Sequence, residues 1–379
     1  MSVEIHEVIS RGELKDFIRF PLDLYKKNPY YVPQLSGDEL NTLRRDKNAA
    51  FDHCQARYWM AYKDGRPVGR IAGILNRLHI QTWNQHYLRF GWVDFIDDPE
   101  VSSALFNRVE NWAAELEMKA VHGPLGFTDM DREAMLVEGF DEPGTLAAIY
   151  NYPYYPVHLE RMGYIKDVDW IEYQIQVPDQ KMEKLDAISE LVQKRYGLHL
   201  ANVKNKKELV PYIPRIFDLL NTAYHPLYGV VALTPRQIEQ YVDQYFGFIH
   251  PDFVPIVVDE QDQLVAFAIT MPSLTRALQK ARGDLLPFGF IHLLRALRKN
   301  DRGDLYLVAV QPEYQGKGVN SILMSRLLQV FHKYGIRQAE SNPELETNVL
   351  VQGQWKYFET RQHKRRRVYI KHLPANPTK

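Results

Sequence analysis

Residues 305–335 read LYLVAVQPEYQGKGVNSILMSRLLQVFHKYG, and the fold follows from how this stretch divides. Leu305 to Val310 is an apolar run with β-branched residues, too brief for a helix and closed by Pro312, so it reads as a buried strand. From Val319 to Tyr334 the apolar residues recur at helical spacing: Val319, Ile322, Leu323, Leu327, Val330 and Phe331 share one face, with Ser325, Arg326, Gln329 and Lys333 opposite. The join is Gln315-Gly316-Lys317-Gly318-Val319-Asn320. Gly316 and Gly318 permit positive φ and remove the Cβ atoms that would hold a ligand away from the backbone. The first N–H groups of the following helix have no intrahelical acceptor. An anion placed on them gains about 0.3–1 kcal/mol per contact, so several converging donors suit a pyrophosphate. Lys317 adds a mobile cation and Gln315 an amide donor.

Two familiar phosphate loops do not fit. The dinucleotide fingerprint needs a third glycine and a downstream acidic residue, and the triphosphate loop needs GxxxxGK followed by Ser or Thr. An ordinary turn with two glycines is the remaining structural alternative. The segment resembles the acyl-CoA loop of the GNAT (GCN5-related) N-acetyltransferase superfamily, Q/R-x-x-G-x-G/A; Asn320 departs by standing where the pattern has Gly or Ala. The resemblance implies acetyl-CoA or a longer acyl-CoA as co-substrate, bound by Gln315, Gly316, Lys317, Gly318, Val319 and Asn320. It also implies that Val308 and Val310 hold the pantetheine arm, with Asn348 as a further contact.

Lys plus Arg and Asp plus Glu each number 47 among 379 residues, giving zero formal charge. That balance argues against nucleic acid as a partner of the whole chain, because phosphate neutralisation needs a cationic excess. Cys54 is the only cysteine, so no disulfide or thiolate cluster forms within one chain, and it is expected to be a half-buried structural thiol. The N-terminal stretch has no uninterrupted apolar segment of the kind a signal peptide needs, and no stretch is long and apolar enough to span a bilayer. A cytoplasmic protein is expected. The sequence leaves a homo-oligomer open.

Working outward, the chain repeats one plan. Tyr58–Asn76 is a hairpin around Lys63-Asp64-Gly65-Arg66, a type I′ signal. A strand at Phe90–Ile96, a helix at Asp98–Lys119, strands at Val121–Phe127 and Trp170–Val177 and a short helix ending near Tyr164 follow. After Pro178 the order recurs: a hairpin at Val254–Met271, the strand, loop and helix described above, a strand at Gln338–Ser341, a short helix at Glu344–Gln352 and a closing strand at Val368–His372. The repeat implies two domains, at residues 1–178 and 179–379. The class is α/β (α+β): each half resembles a GNAT domain, a mixed, mostly antiparallel sheet flanked by helices. The whole is similar to tandem GNAT-like proteins.

The repeat supplies its own comparison. The interval from Pro99 to Trp112 is five residues shorter than that from Pro312 to Val330, and the missing residues are those of the glycine loop. Asp97-Asp98-Pro99-Glu100 stands there, with carboxylates that repel a pyrophosphate. The first domain is therefore expected to keep the fold without the phosphate site. Its tyrosines at 150, 152, 154 and 155 are expected to be packing.

The resemblance implies a tyrosine acid seven residues after an asparagine. Counting from Asn348 reaches Trp355, so Tyr357 is the substitute. The central strand carries no carboxylate between Leu305 and Val310, which leaves Glu340 as the nearest base, followed by Glu344 and Glu346. A small-molecule primary amine is the expected acceptor and acetyl the expected group. Long-chain transfer from acyl-CoA or an acyl carrier protein, and a non-catalytic CoA-binding module, are the alternatives. Leu285–Lys299 predicts an amphipathic helix, read as core-packed in preference to a lid or membrane-surface helix. His363-Lys-Arg-Arg-Arg367 reads as a solvated strand edge in preference to a phosphate grip. No histidine pairs at metal-ligand spacing, and no metal is expected.

Overall fold

The computed structural model describes residues 2–374. The chain forms two compact units: one holds residues up to Ile171 with Ala277–Phe290 and Lys364 onward, the other Glu172–Arg276 and Ile291–His363. In chain order come β1 (Glu4–Glu7), α1 (Arg11–Leu24), α2 (Ser36–Leu43), β2 (Cys54–Lys63), β3 (Arg66–Asn76), α3 (Arg77–Trp83), β4 (Tyr87–Phe95), α4 (Pro99–Glu115), β5 (Ala120–Gly123), β6 (Met135–Glu138) and α5 (Tyr154–Arg161). β7 (Ile165–Gln176) leads on to α6 (Glu183–Tyr196), β8 (His199–Leu200), α7 (Lys206–Leu209), α8 (Ile213–Tyr224), α9 (Pro235–Tyr245), β9 (Ile256–Val258) and β10 (Leu264–Pro272). Then follow α10 (Thr275–Ala281), α11 (Gly289–Arg298), β11 (Arg302–Val310), α12 (Asn320–Tyr334), β12 (Gln338–Ser341), β13 (Glu344–Leu345), α13 (Val349–Gln352) and β14 (Thr360–His372).

In the first unit the strand order is β1-β2-β3-β4-β5-β14, with β6 paired to β14. All neighbours are antiparallel except β4 with β5. Asp64 and Gly65, both at positive φ, close the β2–β3 hairpin with Lys63 opposite Arg66, as a type I′ turn requires. α4 seats Val101, Leu105, Phe106, Val109 and Ala113 without exposure against this sheet. Gly73 makes the close approach possible: a Cβ there would lie 2.9 Å from the Trp112 ring.

The second unit repeats the arrangement in the order β7-β12-β11-β10-β9-β8, with β11 and β12 parallel and β12 antiparallel to β7. α12 buries Ile322, Leu323 and Leu327 against Val257, Ala266 and Val310, and Val330 and Phe331 against Ile175 and Ala339. The expected apolar face of this helix is the observed one.

Four sequence expectations are corrected. The strand that follows β5 in the first sheet is β14, and the one that follows β12 in the second is β7. By contact, the first unit also takes in Ala277–Phe290 and the residues from Lys364. The run His363–Arg367 is not a solvated edge. Lys364 and Arg366 are 1% exposed, Arg365 and Arg367 both reach Asp169 at 3.1 and 2.8 Å, and Arg366 donates to the Ile149 carbonyl. Buried cations persist only with such partners. Glu344–Gln352, expected as one helix, is β13 followed by the single turn α13, because Asn348 caps the turn through its side chain on the Val351 N–H. The first-unit tyrosines pack as expected, with Tyr25 stacked on Tyr31 and hydrogen-bonded to Asp94 and Tyr155 at 2.9 and 2.8 Å. Cys54 is buried rather than half-buried, and burial pushes its thiol up to about 12.

Candidate active site

β11 and β12 pair only from Arg302 opposite Gln338 to Leu305 opposite Ser341. One further bond, Asn342 N–H to the Leu305 carbonyl at 3.0 Å, closes the ladder. β11 then continues to Val310 beside β10, with Val308 opposite Ala268 and Val310 opposite Ala266, and has no β12 partner among the described residues. A strand that outruns its neighbour leaves a row of backbone donors and acceptors for an extended, amide-bearing ligand. Below the parting lies an apolar crevice lined by Leu305, Met324, Leu327, Phe331, Ala339 and Trp355.

The loop sits at the end of the same strand. Gln315 donates its side-chain amide to the Val310 carbonyl at 3.1 Å, tying the turn to the strand it leaves. Gly316 and Gly318 both have positive φ, 73° and 82°. At Gly318 a Cβ would also meet Val192 of α6 at 3.2 Å, so glycine is needed for conformation and space alike. Val319 starts α12 with no side-chain cap, and the Ser321 and Ile322 N–H groups turn back on the Gly318 and Val319 carbonyls at 2.9 and 3.0 Å, so the amides offered to a ligand are those of the loop before them. Lys317 Nζ rests 5.4 Å from the Tyr314 ring centroid and 5.5 Å from that of Tyr196, a cation–π seat beside the loop. Asn320 Oδ1 and Ser321 Oγ are shielded in the first turn with no hydrogen-bond partner.

In the first unit the matching helix start is closed. Asp98 accepts from the Glu100 N–H at 2.9 Å, and Lys63 Nζ bonds Asp98 at 2.8 Å and Glu100 at 3.3 Å. The Lys63 hydrogen bond holds the Asp98 carboxyl below its usual range. One end is uncapped and basic, the other capped and acidic.

Beside the parted strands stand Tyr224, which spacing did not single out, and Glu344, which it ranked behind Glu340. Tyr224, the last residue of α8, donates its hydroxyl to the Val308 carbonyl at 3.1 Å, and burial pushes its pKa up to about 12. Glu344 accepts from Trp355 Nε1 at 2.8 Å on one oxygen, while its other oxygen is buried with no hydrogen-bond partner. Burial raises the Glu344 carboxyl to about 7, with hydrogen bonds from Trp355 and Ser341 opposing the rise, and its charge contributes to the Tyr224 shift. Trp355 itself is buried. The only sequence signal for this pairing was the tryptophan at the position where the family pattern has its tyrosine.

Glu340 lies on β12 opposite Asp304, with His363 Nε2 at 3.6 Å. Atoms of Glu172, Glu340 and His363 lie within 4.8 Å of one another, a donor set of the metal-ligand type that the sequence reading had not assembled. Tyr306, two residues from Asp304, donates to its carboxylate at 3.2 Å. Asn348 caps α13, and Tyr357 is 48% exposed in the turn that follows.

Comparison with known proteins agrees with this geometry. The Acetyltransferase (GNAT) family matches residues 213–348, which contain the parted strands and the loop. Protein YghO of Escherichia coli is 28% identical over 376 residues, covering 97% of this chain and 95% of that protein. The bacterial ceramide synthase of Caulobacter vibrioides is 27% identical over 303 residues, 76% of this chain and 74% of that protein. The fold is shared with a tandem GNAT protein from the clavulanic acid biosynthesis pathway, at TM-score 0.57 and 13% identity over the full length of both. The chain has the fold of a tandem GNAT protein, and its residues 213–348 match the Acetyltransferase (GNAT) family.

Proposed function

We propose that the second unit transfers an acyl group from acyl-CoA to a primary amine, and that the donor is a long-chain acyl-CoA and the acceptor an amino lipid. The observation that carries the transfer is the parting of β11 from β12 at Leu305 beside the uncapped start of α12. In this reading the diphosphate lies on the amides of 316–320 with Lys317 over it. The pantetheine arm runs along β11 at Val308 and Val310, competing with Tyr224 and Gln315 for their carbonyls, and Asn348 offers its amide nitrogen. The acyl tail takes the apolar crevice beneath Leu305. The lipid character rests on the relative named as a ceramide synthase, since a ceramide is the fatty amide of a long-chain amino alcohol, and the crevice, with room for little more than one water, must widen to take such a chain. Acetyl transfer from acetyl-CoA to a small amine is the competing outcome.

The chemistry needs a neutral amine and a protonated leaving thiol. Glu344, ionised above neutrality, takes the ammonium proton at its second oxygen, directly or through water. The amine nitrogen attacks the thioester carbonyl, the C–N bond forms, the C–S bond breaks, the departing thiolate takes a proton from Tyr224, and the proton lost from the new amide nitrogen returns to the Tyr224 oxygen. Glu340 with Glu172 and His363 receives the acceptor's cationic end before transfer. Tyr357, the acid expected from spacing, competes with Tyr224 for the last role. The first unit, with its helix start closed by Asp98 and Lys63, binds no CoA.

Thiol release followed across acetyl-, octanoyl- and palmitoyl-CoA, each with a small primary amine and with a long-chain amino alcohol, tests the reading. Turnover confined to the long donor and lipid amine is expected; no thiol release with any pair overturns it.

A further inference from the structure

The segment Leu285–Lys299 departs from its core-packed expectation. Leu293 is buried, but Leu286, Phe288, Phe290 and Leu294 are 79%, 69%, 42% and 50% exposed. Phe290 and Leu294 lie one turn apart on α11, and Arg298 continues their row by another turn. Arg295, Arg298 and Lys299 are all exposed, and no acidic residue occurs from Leu285 to Asn300. An exposed apolar row beside cations, with no carboxylate among them, is the composition of a helix that lies in a lipid interface. A solvated surface helix would carry charges of both signs and would not present two phenylalanines to water.

We propose that α11 and the turn before it dock this protein on an anionic phospholipid bilayer. Leu286, Phe288, Phe290 and Leu294 enter the acyl boundary, and Arg295, Arg298 and Lys299 meet the lipid phosphates. The occupant is an anionic membrane and not an apolar protein surface, because the cations border the apolar row, and the acidic residues flanking the segment, Asp284 and Asp301, lie outside it, Asp301 already paired with Arg276 at 3.1 Å. The docking deepens the amino-lipid reading, since it brings the enzyme to the surface that holds such an acceptor. Its test is independent of turnover.

Full-length protein is sedimented with vesicles of phosphatidylcholine alone and of equimolar phosphatidylcholine and phosphatidylglycerol. Binding to the anionic vesicles only, weakened by salt, is expected. Arg295→Gln with Arg298→Gln reduces the partition coefficient roughly thirty-fold, at about 1 kcal/mol per cation. Phe288→Ser with Phe290→Ser abolishes binding, while circular dichroism and soluble thiol release stay unchanged. Equal partition into both vesicle types, or none into either, overturns the proposal. So does a concentration-dependent dimer in sedimentation velocity that the phenylalanine variant dissolves, because a second copy would then cover the patch.

Discussion

Trp355 Nε1 donates to Glu344 Oε1 at 2.8 Å, so the residue standing where the family pattern has its acid is engaged in holding a carboxylate. The bond fixes one oxygen and leaves the other as the only basic atom of the pair. Burial dominates the environment and raises the carboxyl to about 7, the value that the proposed role as base requires near neutral pH.

Activity should follow the ionisation of Glu344. In the wild type kcat/KM rises about tenfold per pH unit below 7 and flattens above it. Glu344→Gln lowers kcat by about 10²–10⁴ and removes the limb. The stability sign is opposite to that of a salt-bridged carboxylate. The folded value exceeds the ordinary 4.5, so this group withdraws stability as pH rises from 4.5 through about 7. Chemical denaturation at pH 5 and 8 should therefore differ less in Glu344→Gln than in the wild type.

Trp355→Phe should move the same limb. Losing a hydrogen bond that favours the charged form raises the Glu344 pKa further, so the midpoint climbs and the rate at pH 7 falls about tenfold per unit of displacement. A pH–rate profile of the variant decides it; an unmoved midpoint would mean that the indole only fills space.

The leaving thiolate distinguishes two tyrosines. Tyr224→Phe should reduce kcat by about 10²-fold or more while leaving the CoA dissociation constant within about twofold, whereas Tyr357→Phe should change neither. The converse result would place the acid on the exposed turn. Steady-state kinetics with calorimetric binding separates the two.

Stability of the first unit depends on a buried ion pair. Arg70 and Asp94 lie 2.7 Å apart with side chains 6% and 8% exposed, and Tyr25 donates to the same carboxylate. Asp94→Ala leaves the guanidinium buried without its partner and should cost about 3–5 kcal/mol in urea denaturation.

Sequence legibility follows the range of the interactions concerned. The Asp64-Gly65 turn, the apolar face of α12 and the positive φ of Gly316 and Gly318 are specified by neighbours in the chain and are legible there. The run Lys364–Arg367 was misread because its burial depends on Asp169 and Ile149, far away in sequence. The exchange of β7 and β14 was illegible for the same reason: either strand would complete either sheet by its pattern alone. The raised carboxyl of Glu344 is illegible for the same reason, since it follows from burial and not from spacing.

Calorimetric titration of CoA and palmitoyl-CoA into the wild type and into Gly318→Val with Lys317→Glu tests the phosphate loop most directly. One site per chain is expected, weakened at least about tenfold in the variant by the positive φ, the Val192 contact and the reversed charge. Unchanged affinity in a folded variant would place CoA elsewhere and contradict the site.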